Sequence, residues 1–317
     1  MGCPDAVSRR HTRDFHAKAE SGRFPGLTSR SGGAAANQGA RHMAGNAGNA
    51  GNAGNAGNAG NVGNAGSGGG GWIFPDRVDL PFITEVGAAT NRTTATAFPD
   101  RSWTPEWFAW RILADFAKVS WSTKIAVAAP PNSAAAIDAE IDALVTMAEN
   151  ERADALGEIF AQSDEFLSYF MALLNVTPGS HPATCRVIHL ASLIGLQVVM
   201  YWKAHYNRPR PSQLCPALLP PLQVPGHASY PSGHSTQGHL VALCVALVLP
   251  ASVKASMVAD LKVLADRIAR NRQIAGLHYQ SDTDAGIQLA TDIFAILNDG
   301  TSVPSFAKAV TAAASEW

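Results

Sequence analysis

Apolar residues recur at steps of three and four through most of the chain beyond residue 100, which is the spacing of one face of an α-helix. The clearest stripe consists of Val253, Met257, Leu261, Leu264 and Ile268. No stretch shows sustained alternation of apolar and polar residues, the pattern typical of a half-buried β-strand. The sequence therefore predicts an all-α fold, a helical bundle.

Capping residues and prolines mark where the predicted helices begin. Thr104-Pro105-Glu106 combines an N-cap residue, a proline in the first turn and an acid near the positive end of the helix dipole. Ser133 is expected to begin a second helix. The run from His181 to Lys203 is apolar nearly all round, which indicates a central helix. Further helices are predicted from about 233 to 250, from 253 to near Arg272 and from 283 to 297.

The N-terminal quarter has a different composition. Gly45–Gly66 repeats Gly-Asn-Ala and is followed by four glycines at 68–71. Such small residues have little apolar surface to bury and cannot offset the entropy lost on ordering. We therefore expect residues 1–71 to be disordered and residues 72–317 to form a single all-α domain.

Charge and cysteine content exclude several classes of function. The formal net charge is −1, and no basic block stands out, so the sequence does not predict nucleic-acid binding. The four cysteines are scattered, with no Cys-x-x-Cys pair, and indicate neither a zinc site nor a disulfide framework. The sequence does not indicate an oligomeric state.

The N-terminus has no apolar core of the kind found in a secretory signal. The most apolar stretch, Val187–Trp202, contains polar residues and is too short by itself to span a bilayer. On these grounds we expect no transmembrane segment and a soluble, cytoplasmic protein, with export not excluded.

Residues that carry chemistry are concentrated in three segments between 203 and 282. These are Lys203-x6-Arg210-Pro211, Pro231-Ser232-Gly233-His234 and Arg272-x5-His278-x3-Asp282. They supply three cations, two histidines, a carboxylate and a glycine turn at a helix start, where free backbone N–H groups bind anions. Three converging cations attract an oxyanion and repel a divalent metal, so we expect no metal site.

The three motifs resemble those of the superfamily that joins type-2 phosphatidic acid phosphatases, bacterial class A acid phosphatases and vanadium haloperoxidases. That family reads Lys-x6-Arg-Pro, Pro-Ser-Gly-His and Ser-Arg-x5-His-x3-Asp, and this chain departs from it at Asn271, where the family usually has Ser. The resemblance is closest to class A acid phosphatases around Tyr230–His234 and around His278–Asp282. It implies an all-α bundle over about residues 100–317.

The resemblance also implies roles for these residues, and each role suits the chemistry of its side chain. His278 attacks phosphorus, Asp282 orients its ring, and His234 protonates the leaving oxygen. The phosphoryl group of a small phosphorylated substrate is held by Lys203, Arg210, Ser232, Gly233 and Arg272. The activity that follows is that of a metal-independent acid phosphatase, a phosphoric monoester hydrolase without a cofactor that works through a phosphohistidine.

Three other functions use the same residues. In a vanadium haloperoxidase the pocket binds vanadate, with His278 as the vanadate ligand. A lipid phosphatase is disfavoured by the expected lack of spanning helices. A protein that only binds anions is disfavoured because binding would need only the cations, whereas both histidines and the carboxylate are present.

Several nearby residues are predicted to be structural. Arg-Pro occurs twice in 207–211, and the family spacing selects Arg210, so Arg208 is expected to be exposed. Asp284 is a less suitably spaced partner for His278 than Asp282. Residues interpreted as structural or as a solvated face are His189, His205, His227, His239, Glu149, Glu151, Asp154 and Glu158.

Overall fold

The computed structural model describes residues 97–317, and the predicted all-α fold is confirmed, since this part of the chain contains no strand. The boundary at residue 72 and the disorder expected for residues 1–71 lie outside the described residues. The α-helices of the described part are, in chain order, α1 (Pro105–Phe116), α2 (Trp121–Lys124), α3 (Ala134–Asn150), α4 (Arg152–Asp164), α5 (Leu167–Leu174), α6 (Pro182–Tyr206), α7 (Pro211–Leu214), α8 (Gly233–Val248), α9 (Ala251–Ile274), α10 (Gln280–Leu297) and α11 (Pro304–Ala314). Short 3-10 turns lie at Asp100–Ser102 and Pro216–Leu218.

Helix α6 lies at the centre of the main hydrophobic core. It packs against α1, α8 and α11, and α8 in turn packs against α9 and α10. The apolar side chains of α6 are accordingly inaccessible to solvent at Val187, Ile188, Leu190, Ile194 and Val198. The central position predicted from an apolar run without a polar face is therefore confirmed.

The predicted capping residues mark helix starts. Ser133 precedes α3, and its side-chain oxygen accepts a hydrogen bond from the Ala136 N–H at 3.3 Å. Helix α10 begins at Gln280, earlier than expected, and places Asp282 inside its first turn. Helix α11 was not predicted.

Three small residues allow neighbouring helices to approach α8 closely. A Cβ added to Gly195 of α6 would lie 3.4 Å from Gln237. A Cβ added to Gly238 of α8 would lie 3.7 Å from Ala265 of α9. Gly286 of α10 is tighter still, because an added Cβ would lie 2.8–2.9 Å from Ser232 and Ser235. This packing holds the first turn of α8 against α10.

The expectation that no segment is long enough to cross a membrane is wrong. An 18-residue window within Pro182–Leu214 has a mean hydropathy of 1.5, and by length and composition this stretch can span a bilayer. The apolar run Val187–Trp202 was judged without the rest of its helix, and α6 extends beyond it at both ends. In this fold 72% of the most apolar window of that stretch is buried.

Candidate active site

The three motifs are placed at helix ends that face one another. Lys203 lies in the last turn of α6, Arg272 in the last turn of α9, and Asp282 in the first turn of α10. Arg210 precedes α7, and His278 lies in the turn between α9 and α10. All five side chains are buried. A single buried cluster therefore brings together residues that are far apart in the sequence.

The carboxylate of Asp282 holds the ring of His278. Oδ2 of Asp282 lies 3.0 Å from Nδ1 of His278 and also accepts hydrogen bonds from the hydroxyl of Ser229 and, at 3.2 Å, from the N–H of Tyr279. A carboxylate acceptor keeps the proton on Nδ1 and leaves the lone pair on Nε2. That nitrogen lies 3.4 Å from Nη1 of Arg210. The electron pair of His278 is thus directed toward a cation.

The neighbouring acid Asp284 does not compete for His278. Its carboxylate accepts from the side-chain amide of Gln280 at the surface. The four-residue spacing therefore predicted correctly that Asp282, and not Asp284, contacts His278.

Backbone carbonyls hold two of the cations in place. Nζ of Lys203 donates to the carbonyls of Ala228 at 2.9 Å and Ser229 at 2.7 Å. Arg210 donates from Nε to the carbonyl of His227 at 3.0 Å and from Nη1 to the carbonyl of Leu277 at 2.9 Å. Because neutral acceptors satisfy these donors, much of their positive charge remains uncompensated. The arrangement favours an anion.

The start of α8 supplies donors to the same cluster. Ser232 is the N-cap, and its side-chain oxygen lies 3.4 Å from the N–H of Ser235. The hydroxyl proton of Ser232 can therefore still be donated. Gly233 is the first helical residue, so its N–H has no acceptor within the helix. The turn is tied to α10, since the N–H of Ser232 donates to the carbonyl of Asp282 at 2.8 Å.

His234 packs against the end of α4 and the residues that follow this helix. Its Nε2 is 3.2 Å from the carbonyl of Gln162, and its ring centroid is 5.1 Å from that of Phe166. Arg272 donates to the carbonyl of Ile159, also on α4. Helix α4 thus contributes backbone carbonyls to both a histidine and a cation of the cluster.

Burial and the surrounding cations lower the pKa values of His278, His234 and Lys203. The pKa of His278 is well below its ordinary value, first through desolvation and then through Arg210, Lys203 and Arg272. The pKa of His234 is lowered by desolvation, by Arg272 and by His278. Desolvation and Arg210 likewise lower the pKa of Lys203. Both rings are therefore neutral near pH 7. An anion that binds beside these groups favours their protonated, positively charged forms and raises the pKa values of His278, His234 and Lys203.

The expectation that Arg208 is exposed is wrong. Its side chain is 6% exposed and donates from Nη1 to Oδ1 of Asp282 and to the hydroxyl of Ser281, both at 2.7 Å. Its Nη2 donates to Oε2 of Glu140, also at 2.7 Å. The two arginines of the Arg-Pro-Arg-Pro run thus face the same cluster from different sides. No local motif marks Glu140, which lies on α3, as a contributor.

The remaining histidines have other surroundings. Nε2 of His239 is 3.0 Å from the carboxylate of Asp266, and its Nδ1 faces the carbonyl of Ser235. His189 is buried in the core, and His205 is exposed. His227 lies 3.2 Å from Nη2 of Arg210, next to the cluster. The interpretation of His227 as structural therefore did not include its contact with Arg210, a candidate phosphate-binding residue.

The interpretation of the α3–α4 carboxylates as a solvated face is incomplete. Glu151 pairs with Arg270, and Glu158 pairs with Arg267. Asn271, at the position where the family usually has Ser, donates to Glu158 at 3.0 Å and to Gln162 at 2.8 Å. Asn271 therefore ties α9 to the helix that faces His234.

No group of three or more His, Cys, Asp or Glu side chains that could hold a metal ion occurs among residues 97–317. Asp282 of the cluster and Glu140 of α3 are both paired with Arg208.

Comparison with known proteins agrees with the motifs. Residues 186–298 match the family model of the PAP2 superfamily. The match supports membership of that superfamily. It spans all three motifs, and it supports an activity of the phosphoesterase type. No curated protein matches the chain. The closer resemblance to class A acid phosphatases stays a prediction.

Proposed function

We propose that this protein is a metal-independent acid phosphatase that hydrolyses small phosphomonoesters through a phosphohistidine. The observation that carries the proposal is the orientation of His278. Its Nδ1 faces Asp282 at 3.0 Å, and its Nε2, with the lone pair, faces Arg210 at 3.4 Å. A phosphoryl group bound by Arg210 would meet this nitrogen as a nucleophile.

In the proposed first step Nε2 of His278 forms a bond to phosphorus, and the bond from phosphorus to the ester oxygen breaks. The leaving oxygen takes a proton from His234, which has acquired it as the bound anion raises its pKa. Asp282 stabilises the positive charge that develops on the ring of His278. Lys203, Arg210, Arg272, Ser232 and the Gly233 N–H stabilise the equatorial oxygens.

In the second step a water molecule attacks phosphorus and gives a proton to His234. The bond from phosphorus to Nε2 breaks, inorganic phosphate leaves, and both histidines return to their starting states. The same residue thus acts first as acid and then as base, as reversal of the first step requires.

Rapid quench after mixing with a ³²P-labelled phosphomonoester tests the intermediate. We expect acid-labile label on His278 and none in His278→Ala. His234→Ala should lose about 10²–10⁴-fold in rate on an alkyl phosphate and less on p-nitrophenyl phosphate, whose leaving group needs little protonation. His239→Ala, one turn further along α8, is the matched control and should retain activity. Label on His234 or Ser232 would reverse the assignment.

A vanadium haloperoxidase is the second candidate. The observation that favours it is again the Nε2 lone pair of His278, which suits a bond to vanadium, beside cations that suit vanadate oxygens as well as phosphate oxygens. Bound vanadate would supply peroxide activation. The two functions are separated by assaying p-nitrophenyl phosphate hydrolysis in EDTA beside bromide oxidation by peroxide after vanadate loading. Bromide oxidation without phosphatase activity, and no label in any variant, would favour the haloperoxidase.

A further inference from the structure

A second set of charges lies behind the pair formed by Asp282 and His278. Arg208 approaches Oδ1 of Asp282, the oxygen that does not face His278, at 2.7 Å. The guanidinium carbon of Arg208 also lies over the ring of Tyr279, 3.8 Å from its centroid. The backbone carbonyl of Arg208 accepts a hydrogen bond from the N–H of Ser229, and the hydroxyl of Ser229 donates to Asp282. Arg208 is thus fixed on several sides against the carboxylate.

Glu140 completes this set from a distant helix. Oε2 accepts from Nη2 of Arg208, and Oε1 accepts from the N–H of Ser281 in the first turn of α10, both at 2.7 Å. The side chain of Glu140 is 15% exposed, so water competes little for these two contacts. Glu140 lies outside the segment that matches the family model, residues 186–298. One carboxylate therefore braces both Arg208 and the helix start that carries Asp282.

The charges in this set do not cancel. Asp282 and Arg208 alone sum to zero and would offer little stabilisation to a positive ring on His278. Glu140 adds a negative charge, so the three side chains together carry a net charge of −1. A buried negative charge behind the ring favours the cationic form that arises when Nε2 bonds to phosphorus.

We propose that Glu140 and Arg208 are a pair of positioning residues that fix Asp282 and set the net negative charge acting on His278. As a statement about catalysis this rests on the proposed function. As a statement about the His278 ring it does not, because the charge balance exists before any reaction.

Other charged groups also face His278 and oppose this effect. They are Arg210, Lys203 and Arg272, which together with His227 lower its pKa, and His234 on α8. Bound inorganic phosphate offsets these cations. The ring of His278 is therefore examined in the phosphate-saturated protein, where its pKa lies nearer its ordinary value.

The experiment is an NMR titration of ¹⁵N-histidine protein saturated with inorganic phosphate, with the His278 signals assigned from His278→Gln. Glu140→Gln removes a negative charge while keeping the shape of the side chain, so the pKa of His278 should fall. Arg208→Gln removes a positive charge, so it should rise. Each shift should be on the order of one unit. The double variant restores the net charge and should return the pKa close to that of the wild type.

Glu151→Gln is the matched control, because Glu151 makes a similar pair with Arg270 at the surface. It should leave the His278 titration unchanged. The double variant also guards against misfolding of Arg208→Gln, since it leaves one carboxylate without its arginine partner instead of two. Where turnover is measurable, the acidic limb of kcat/KM should move in the same directions.

Shifts of the same sign in the two single variants, no shift in either, or no titration of His278 in any variant would overturn the charge-setting role. Opposite shifts with no phosphatase activity would leave this inference standing and remove the proposed function.

Discussion

Gly286 is the residue at which the structure predicts the largest effect of a single added methyl group. The Cβ of Gly286→Ala would lie 2.8 Å from Cβ of Ser235 and 2.9 Å from the carbonyl oxygen of Ser232. Neither atom can rotate away. The Ser232 carbonyl already accepts from the N–H and hydroxyl of Thr236, and its N–H is bonded to the carbonyl of Asp282. Helices α8 and α10 must therefore move apart.

Two opposing contributions set the magnitude. Replacing glycine by alanine inside a helix stabilises it by about 1 kcal/mol. Overpacking a rigid contact costs about 1–3 kcal/mol. We expect a net loss of up to about 2 kcal/mol in the free energy of unfolding. The separation also moves Ser232 and Gly233 away from His278, and a misplacement of about 1 Å can lower kcat about 10²-fold.

Urea unfolding and steady-state kinetics measure both effects. Gly157→Ala on α4 is the control for helix propensity, because nothing lies within 4 Å of its added Cβ, and it should be neutral or stabilising. Gly238→Ala controls for an ordinary helix contact, at 3.7 Å from Ala265. If Gly286→Ala is as stable and as active as Gly157→Ala, the close approach of α8 and α10 does not position the site.

Three further predictions concern charge. Asp282→Asn should lower kcat about 10³–10⁴-fold, because an amide cannot both accept from Arg208 and keep the His278 proton on Nδ1; a loss under tenfold at the pH optimum would contradict that role. Binding of inorganic phosphate should take up protons, since the anion raises the lowered pKa values of Lys203, His234 and His278, and affinity should weaken as the pH rises. Calorimetry in buffers of different ionisation enthalpy measures that uptake, and zero uptake would refute it. Burial lowers the pKa of His189 to about 4 from 6.5, so the unfolded chain binds more protons than the folded chain between these pH values. Lowering the pH through this range should therefore reduce the free energy of unfolding by roughly 3 kcal/mol. His189→Met should flatten this part of the stability curve, measured by urea unfolding at each pH, and an unchanged slope would count against the assignment.

Much of the fold could be read from the sequence because its signals are local. Helix periodicity, Ser133 as a cap and the apolar run of α6 depend on residues a few positions apart. The pairing of His278 with Asp282 is local in the same way, since a residue just before a helix lies near the carboxylate in its first turn. The ability of α6 to span a membrane was missed because only the apolar run Val187–Trp202, and not the whole predicted helix, was compared with the thickness of a bilayer.

The sequence by itself determined which side chains form the buried cluster, because motif spacing places Lys203, Arg210 and Arg272 at helix ends that face one another. Only the tertiary structure decided how that group is braced. Arg208 and Arg210 each precede a proline, and the motif spacing that selects Arg210 does not show where Arg208 lies. The carboxylate of Glu140, on another helix, accounts for the placement of Arg208 behind Asp282. Gly286 likewise has meaning only where α8 crosses α10. Contacts between distant segments depend on how whole helices pack, and no short pattern records that packing.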